Sequence, residues 1–307
     1  MGPKRALLPG VTHIRAVTVS CFLIFTAVQS ADAQDAIAEF PNCIKERISY
    51  ESDGLLIVGY ISRPRGDGPF PVIIYNHHSR IAFINGRAVD RTKNPTISMT
   101  LNCAQPVLKN RVLMFVPEGR GYGGSQGKSA FDDIITSRNS ENYIVNRARD
   151  INAGVRWLLN KPYVAQNCML LVGYSHGAVA TLIAAPHLDA SPVNYRAAIA
   201  AATGLSYGRD ALTLGMQSMQ QAISITPFPL HLWHAKNDLS VPPDVSRRLA
   251  NFAMEQKRDV THIEFDGVPN QDGHFFFGFE DGYKNYDAWG PAFESVLDSA
   301  FFDCRRN

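Results

Sequence analysis

Ser175 stands in Gly173-Tyr174-Ser175-His176-Gly177, between an apolar run from Met169 to Val172 and a run of small residues from Ala178 to Ala185. A serine hydroxyl attacks a carbonyl only when a base removes its proton and a sharp turn exposes it. The two glycines let neighbouring backbone approach such a turn closely. A helix N-terminus behind it favours the negative charge that develops during attack. The pentapeptide alone is weak evidence; a strand before it and a helix after it make the context of a nucleophile elbow rather than of an ordinary turn. Ser175 is the expected nucleophile.

A base and an orienting acid must come from elsewhere in the chain. Of the later histidines, His187 falls in the helical region behind the serine, His231 and His234 on a strand, and His262 within another strand. His274 alone sits in a loop after the final strand, in Gln271-Asp272-Gly273-His274-Phe275, and is the expected base. Between serine and base, Asp238 lies just past a strand end in Trp233-His234-Ala235-Lys236-Asn237-Asp238-Leu239-Ser240-Val241-Pro242. There it would hold the imidazole in one tautomer and stabilise the imidazolium that forms. Asp244 competes for that role, but after Pro242-Pro243 it reads as a carboxylate in the first turn of a helix.

These residues need a scaffold, and the hydrophobic pattern supplies one. Ile48 to Tyr50 and Leu55 to Ile61, joined by Asp53-Gly54, read as an opening hairpin. Short apolar runs at Pro71–Asn76, Arg111–Val116, Met169–Gly173, Tyr195–Ala202, Leu230–His234 and Val260–Phe265 read as strands. Asp150 to Leu159 has helical spacing and stops at Lys161-Pro162. Continuous apolar strands alternating with helices point to a mainly parallel sheet covered on both faces. The stretch from Thr203 to Pro229 has no strand pattern and is expected to form a small lid. Phe275-Phe276-Phe277 could line the acyl pocket or belong to the core.

With these motifs in order, the chain resembles the dienelactone-hydrolase and prolyl-oligopeptidase-like branches of the α/β-hydrolase superfamily, over essentially all of residues 34–307. Asn76-His77-His78-Ser79 resembles the Asn-His-Gly-Ser loop after the third strand. Glu118-Gly119-Arg120-Gly121-Tyr122-Gly123-Gly124-Ser125 resembles the turn after the fourth, and Asp238-x-x-Val241-Pro242 the acid loop. The resemblance implies an α/β-hydrolase fold: a mainly parallel central sheet with an antiparallel N-terminal hairpin and helices on both faces. It also implies the order serine, acid, histidine, and an oxyanion hole from the backbone N–H of His176 with one from His78 or Ser79. His78 departs from the usual glycine, so its imidazole is expected near the acyl pocket. Dienelactone hydrolases themselves use cysteine; the serine here favours cleavage of small-molecule esters or amides. A peptidase of the prolyl-oligopeptidase-like branch, or a non-catalytic binding protein of the same fold, are the rival readings.

Composition narrows the partners. Lys4, Arg5 and Arg15 precede an apolar run from Ala16 to Val28 and then Ala31-Asp32-Ala33, the order of a secretory signal peptide over residues 1–33. The run is too short to span a bilayer, which needs roughly 20 residues, so export without stable membrane insertion is expected. The leader holds three of the 30 Lys+Arg and one of the 28 Asp+Glu, leaving a neutral chain with no basic stripe for nucleic acid. Cys43, Cys103, Cys168 and Cys304 remain; in an exported protein they suggest one or two disulfides in any of three connectivities, with Cys168 alternatively a plain core residue. Their spacing matches no zinc pattern, and the adjacent His77 and His78 are poorly placed to converge on one ion. No cofactor or metal is expected.

Overall fold

The β-forming runs build a nine-stranded sheet in the order β1-β2-β3-β7-β4-β8-β9-β10-β11. Its strands are β1 (Asp35–Phe40), β2 (Cys43–Ser52), β3 (Leu55–Pro64), β4 (Phe70–Asn76), β7 (Leu113–Pro117), β8 (Val164–Tyr174), β9 (Tyr195–Ala201), β10 (Leu230–Ala235) and β11 (Val260–Phe265). Two short strands, β5 (Ile81–Ile84) and β6 (Arg87–Asp90), pair separately. The computed structural model describes residues 2, 35–40, 43–84, 87–93, 112–136, 140–186, 195–204, 209–267, 269–279 and 285–305. The chain divides into units Met1–Ser30 and Ala31–Asn307, and the expected leader lies, Gly2 apart, outside the described residues. Among these residues no helix is long and apolar enough to cross a membrane.

β1, β2, β3 and β7 pair antiparallel in turn, and β7 through β4, β8, β9, β10 and β11 pair parallel. The expected hairpin is β2–β3, closing between Ser52 and Leu55. Its two turn residues, Asp53 (φ 49°) and Gly54 (φ 74°), are both left-handed, the backbone that matches strand twist across a two-residue turn. β1 extends this antiparallel end beyond what the pattern at Ile48–Ile61 indicated.

Among the described residues five α-helices cover the sheet: α1 (Ser140–Leu159), α2 (His176–Ala184), α3 (Arg209–Ile225), α4 (Asp244–Glu255) and α5 (Tyr286–Ala300). Side-chain alternation along the parallel strands feeds two cores. Val72, Ile74, Met169 and Leu171 pack with residues of α1 to α4, while Ile73, Tyr75, Leu170 and Val172 pack with Trp289, Phe293 and Leu297 of α5. Strands buried on both faces read as near-continuous apolar runs, as β4 and β7 show.

Two expectations change. α1 starts ten residues earlier than the helical spacing of Asp150–Leu159 indicated, because its first half buries polar side chains, Arg147 among them, that mask the apolar stripe. Within the stretch read as a lid, Arg209–Ile225 forms α3, and residues 205–208 lie outside the described residues. Met219, Ala222 and Ile223 are buried in the core shared with α1, α2 and α4, so this part of the segment is a layer of the fold. Of the three phenylalanines, Phe276 and Phe277 are core and only Phe275 is exposed. Cys168 is no simple core residue either: it is bonded to Cys304, 136 positions away, which fastens β8 to the C-terminal turn. Cys43 is also disulfide-bonded, and Cys103 lies outside the described residues.

Candidate active site

β8 ends at Tyr174, α2 begins at His176, and Ser175 between them has φ 57° and ψ −121°. A side-chain-bearing residue in this region carries strain of about 1–3 kcal/mol, sustained only where the surroundings hold it. Here the Ser175 N–H donates to the Ala201 carbonyl (2.9 Å) and its own carbonyl accepts from Ala178 (2.9 Å). The flanking glycines are sterically required. A Cβ on Gly173 would collide with Gly177 O and Thr181 Oγ1, and one on Gly177 with Asn76 O. Asn76 Nδ2 donates to Thr181 Oγ1 (2.7 Å), tying the end of β4 to α2.

The three residues singled out as nucleophile, base and acid meet in one buried line. Ser175 Oγ lies 3.0 Å from His274 Nε2, and His274 Nδ1 lies 2.9 Å from Asp238 Oδ2. The carboxylate fixes the proton on Nδ1, so Nε2 is free to accept from the serine. Burial pushes the Asp238 carboxyl up, but hydrogen bonds from His234 and His274, the His274 charge and the Val241 amide outweigh it and hold the group down at about 2. Asp238 Oδ1 takes the amides of Ser240 (2.9 Å) and Val241 (2.7 Å), so the turn after β10 is wrapped around its own carboxylate. Asp244, the competing acid, is the first residue of α4 and pairs with Arg248 one turn on (2.8 Å), on the surface.

No family model matches the sequence, and no curated protein does. Solved structures do match. An acylaminoacyl peptidase from Pyrococcus horikoshii superposes with a TM-score of 0.58 at 16% identity, over 86% of this chain and 42% of that one. A putative dienelactone hydrolase from Klebsiella pneumoniae gives 0.58 at 15%, over 84% and 98%. One of two fungal esterases from Rhizomucor miehei gives 0.57 at 14%, over 88% and 87%. The chain has the α/β-hydrolase fold. It spans less than half the length of the Pyrococcus peptidase and nearly all of the Klebsiella protein.

In an α/β-hydrolase fold the loop after β4 faces the elbow, and here it presses against Gly177 through the carbonyls of Asn76 and His77. His78, Ser79 and His176, the residues singled out for the oxyanion hole, are therefore neighbours at the site. His176 opens α2, where the first backbone N–H groups have no partner within the helix. The loop is held from below: Arg147 donates to the His77 carbonyl and to Tyr143 Oη (2.6 Å), and Tyr122 Oη donates to the Ser79 carbonyl (2.8 Å). Arg80 N–H donates to His78 Nδ1 (3.1 Å), so a neutral His78 carries its proton on Nε2. Burial and the nearby His274, Arg80 and Arg147 charges push the His78 imidazole down to about 3. The two ring nitrogens of His77 face the carbonyls of His78 (2.7 Å) and Glu118 (2.8 Å), which uses them up as ligands. Arg120 of the glycine-rich turn binds Asp150 (2.7 Å) and Asp53 (3.0 Å), and Ser125 Oγ accepts from Val58 N–H (2.9 Å). That motif braces the scaffold rather than touching the triad.

Two residues escaped the sequence reading. His234, fully buried on β10, donates from Nε2 to Asp238 Oδ2 (3.0 Å), the same oxygen that His274 uses. Its position four residues before the acid was visible, but lying on a strand it was set aside as a candidate base. Asp272 accepts from Leu239 N–H (2.7 Å), Ser240 Oγ (2.6 Å) and His274 N–H (2.9 Å), clasping the acid loop to the histidine loop. On the opposite side Tyr174 Oη donates to the His274 carbonyl (2.7 Å).

Proposed function

We propose that this protein is a serine hydrolase that cleaves carboxylic esters through an acyl-enzyme. The observation that carries the reading is the buried line Ser175 Oγ–His274 Nε2–His274 Nδ1–Asp238 Oδ2, with links of 3.0 and 2.9 Å. Ser175 attacks the carbonyl carbon while His274 Nε2 takes its proton. Asp238 stabilises the imidazolium, which then protonates the departing alcohol. Water, deprotonated by the same nitrogen, releases the acid and restores the serine. The amides of His176 and of His78 or Ser79 are assigned to the developing oxyanion, where each donor is worth about 3–4 kcal/mol. Export to an oxidising compartment is part of the proposal; the leader pattern and the Cys168–Cys304 bond support it.

An amidase or peptidase is the second reading, favoured by the fold it shares with the Pyrococcus peptidase. A binding protein without catalysis has no need of a serine held in strained backbone against a histidine–carboxylate pair. Ser175→Ala should abolish hydrolysis of p-nitrophenyl esters and labelling by a fluorophosphonate probe. Turnover equal to the unaltered protein would overturn the reading. A panel of esters against aminoacyl amides separates the first reading from the second.

A further inference from the structure

His234 has no step in the triad mechanism, yet it occupies the catalytic carboxylate. Its Nε2 faces two acceptors, Asp238 Oδ2 and the Val241 carbonyl, both at 3.0 Å, so that nitrogen must carry a proton. Its Nδ1 lies 2.9 Å from Ser246 Oγ on α4, and the Ser246 hydroxyl also reaches the Pro243 carbonyl (3.0 Å). The ring is thus gripped at both nitrogens and fully buried. Asp238 in consequence receives four donors: the Ser240 and Val241 amides on Oδ1, and two imidazoles on Oδ2.

We propose that His234 is a positioning residue that holds Asp238 Oδ2 toward His274 and withholds part of the carboxylate's charge from the catalytic imidazole. The proposal rests on the hydrolase reading above. A carboxylate oxygen shared between two N–H donors stabilises either cation less than one devoted to a single partner. The imidazolium formed at His274 is therefore less stabilised than in a triad without His234, and the free-base ring persists to lower pH. Other groups near His234 come from β11 and α4. They are Glu264 and His262 of β11, with Glu264 matched by Arg247 of α4 (2.9 Å). The unshielded negative partner of His234 is Asp238 itself.

The test is the pH dependence of kcat/KM for a p-nitrophenyl ester in three variants of the full chain. His234→Leu removes the donor and keeps apolar volume; it should lower kcat and move the acid limb upward by about half a pH unit or more. His234→Gln keeps an N–H near the Nε2 position and should return the limb to that of the unaltered protein. Ser246→Ala loosens the grip on Nδ1 and should shift the limb in the same direction as His234→Leu, by less. A fall in kcat with the acid limb unmoved in both His234→Leu and Ser246→Ala would mean that the residue merely packs, and would overturn the proposal. If His234→Leu does not fold, as judged by circular dichroism, Ser246→Ala and His234→Gln still decide. Full activity of Ser175→Ala in the same assay would instead overturn the hydrolase reading.

Discussion

Asp272 ties the acid loop to the histidine loop, beside the Gly273 N–H on the Asn237 carbonyl (3.1 Å) and the Asn237 amide on the Gln271 carbonyl (3.2 Å). One of its oxygens takes the Leu239 and His274 amides, at 2.7 and 2.9 Å, and the other takes Ser240 Oγ at 2.6 Å. Asp272→Ala removes three hydrogen bonds to a charged acceptor, each worth about 1.5–3 kcal/mol when sheltered. The loops are partly exposed, so water replaces much of the loss, and the expected drop in folding stability is only about 1–2 kcal/mol. Activity should suffer more. The His274 ring must keep Nε2 at hydrogen-bond distance from Ser175, and a displacement of about 1 Å in a reacting group costs up to 10²-fold. We expect kcat to fall about 10- to 100-fold with KM nearly unchanged, measured by steady-state hydrolysis of p-nitrophenyl acetate beside a thermal melt. Asp272→Asn keeps one acceptor oxygen and should fall between the two. A kcat for Asp272→Ala within twofold of the unaltered protein would refute the clasp.

Asp238 is held at about 2, below its usual value near 3.8, so its contribution to stability is complete above about pH 4 and is lost as pH falls through 2. The stability gap between the unaltered protein and Asp238→Asn, measured by urea unfolding, should therefore narrow as pH is lowered from 5 to about 2; a gap that widens contradicts the assignment. Gly177→Ala places a methyl group against the Asn76 and His77 carbonyls, and should cost about 3 kcal/mol or more or prevent folding; an unchanged melting temperature would mean that the loop after β4 is not packed on the elbow. Replacing Cys168 and Cys304 together by serine opens a loop of 136 positions and should cost up to about 5 kcal/mol, read as a lower urea midpoint that dithiothreitol does not lower further through this bond.

The hydrogen-bonded line of Ser175, His274 and Asp238 was legible because its members sit at places that local pattern marks. Ser175 lies between a continuous apolar strand and a small-residue helix, Asp238 lies past a strand end, and His274 lies in a polar loop. What stayed hidden depends on contacts between distant segments. Arg147 looks like a surface residue of a helix until Tyr143, Tyr122 and the His77 carbonyl gather around it. His234 is one alternation along β10, indistinguishable by period from core residues such as Leu232, until the turn at Asp238 folds back over it. Thr203–Pro229 lacked a strand pattern because its Arg209–Ile225 part is helical, and a helix that joins a core can be mistaken for one that covers a site. The Cys168–Cys304 pairing needed the fold to bring positions 136 apart together.

With φ at 57°, glycine is the residue the backbone conformation of Ser175 prefers, and Ser175→Gly would relieve the strain while leaving the turn intact. A library screened for thermal tolerance alone would accept that substitution as an improvement of about 1 kcal/mol, and would recover robust, inert protein. On the proposed mechanism, only a screen that also demands turnover keeps the hydroxyl in place, since durability and activity then pull in opposite directions at Ser175.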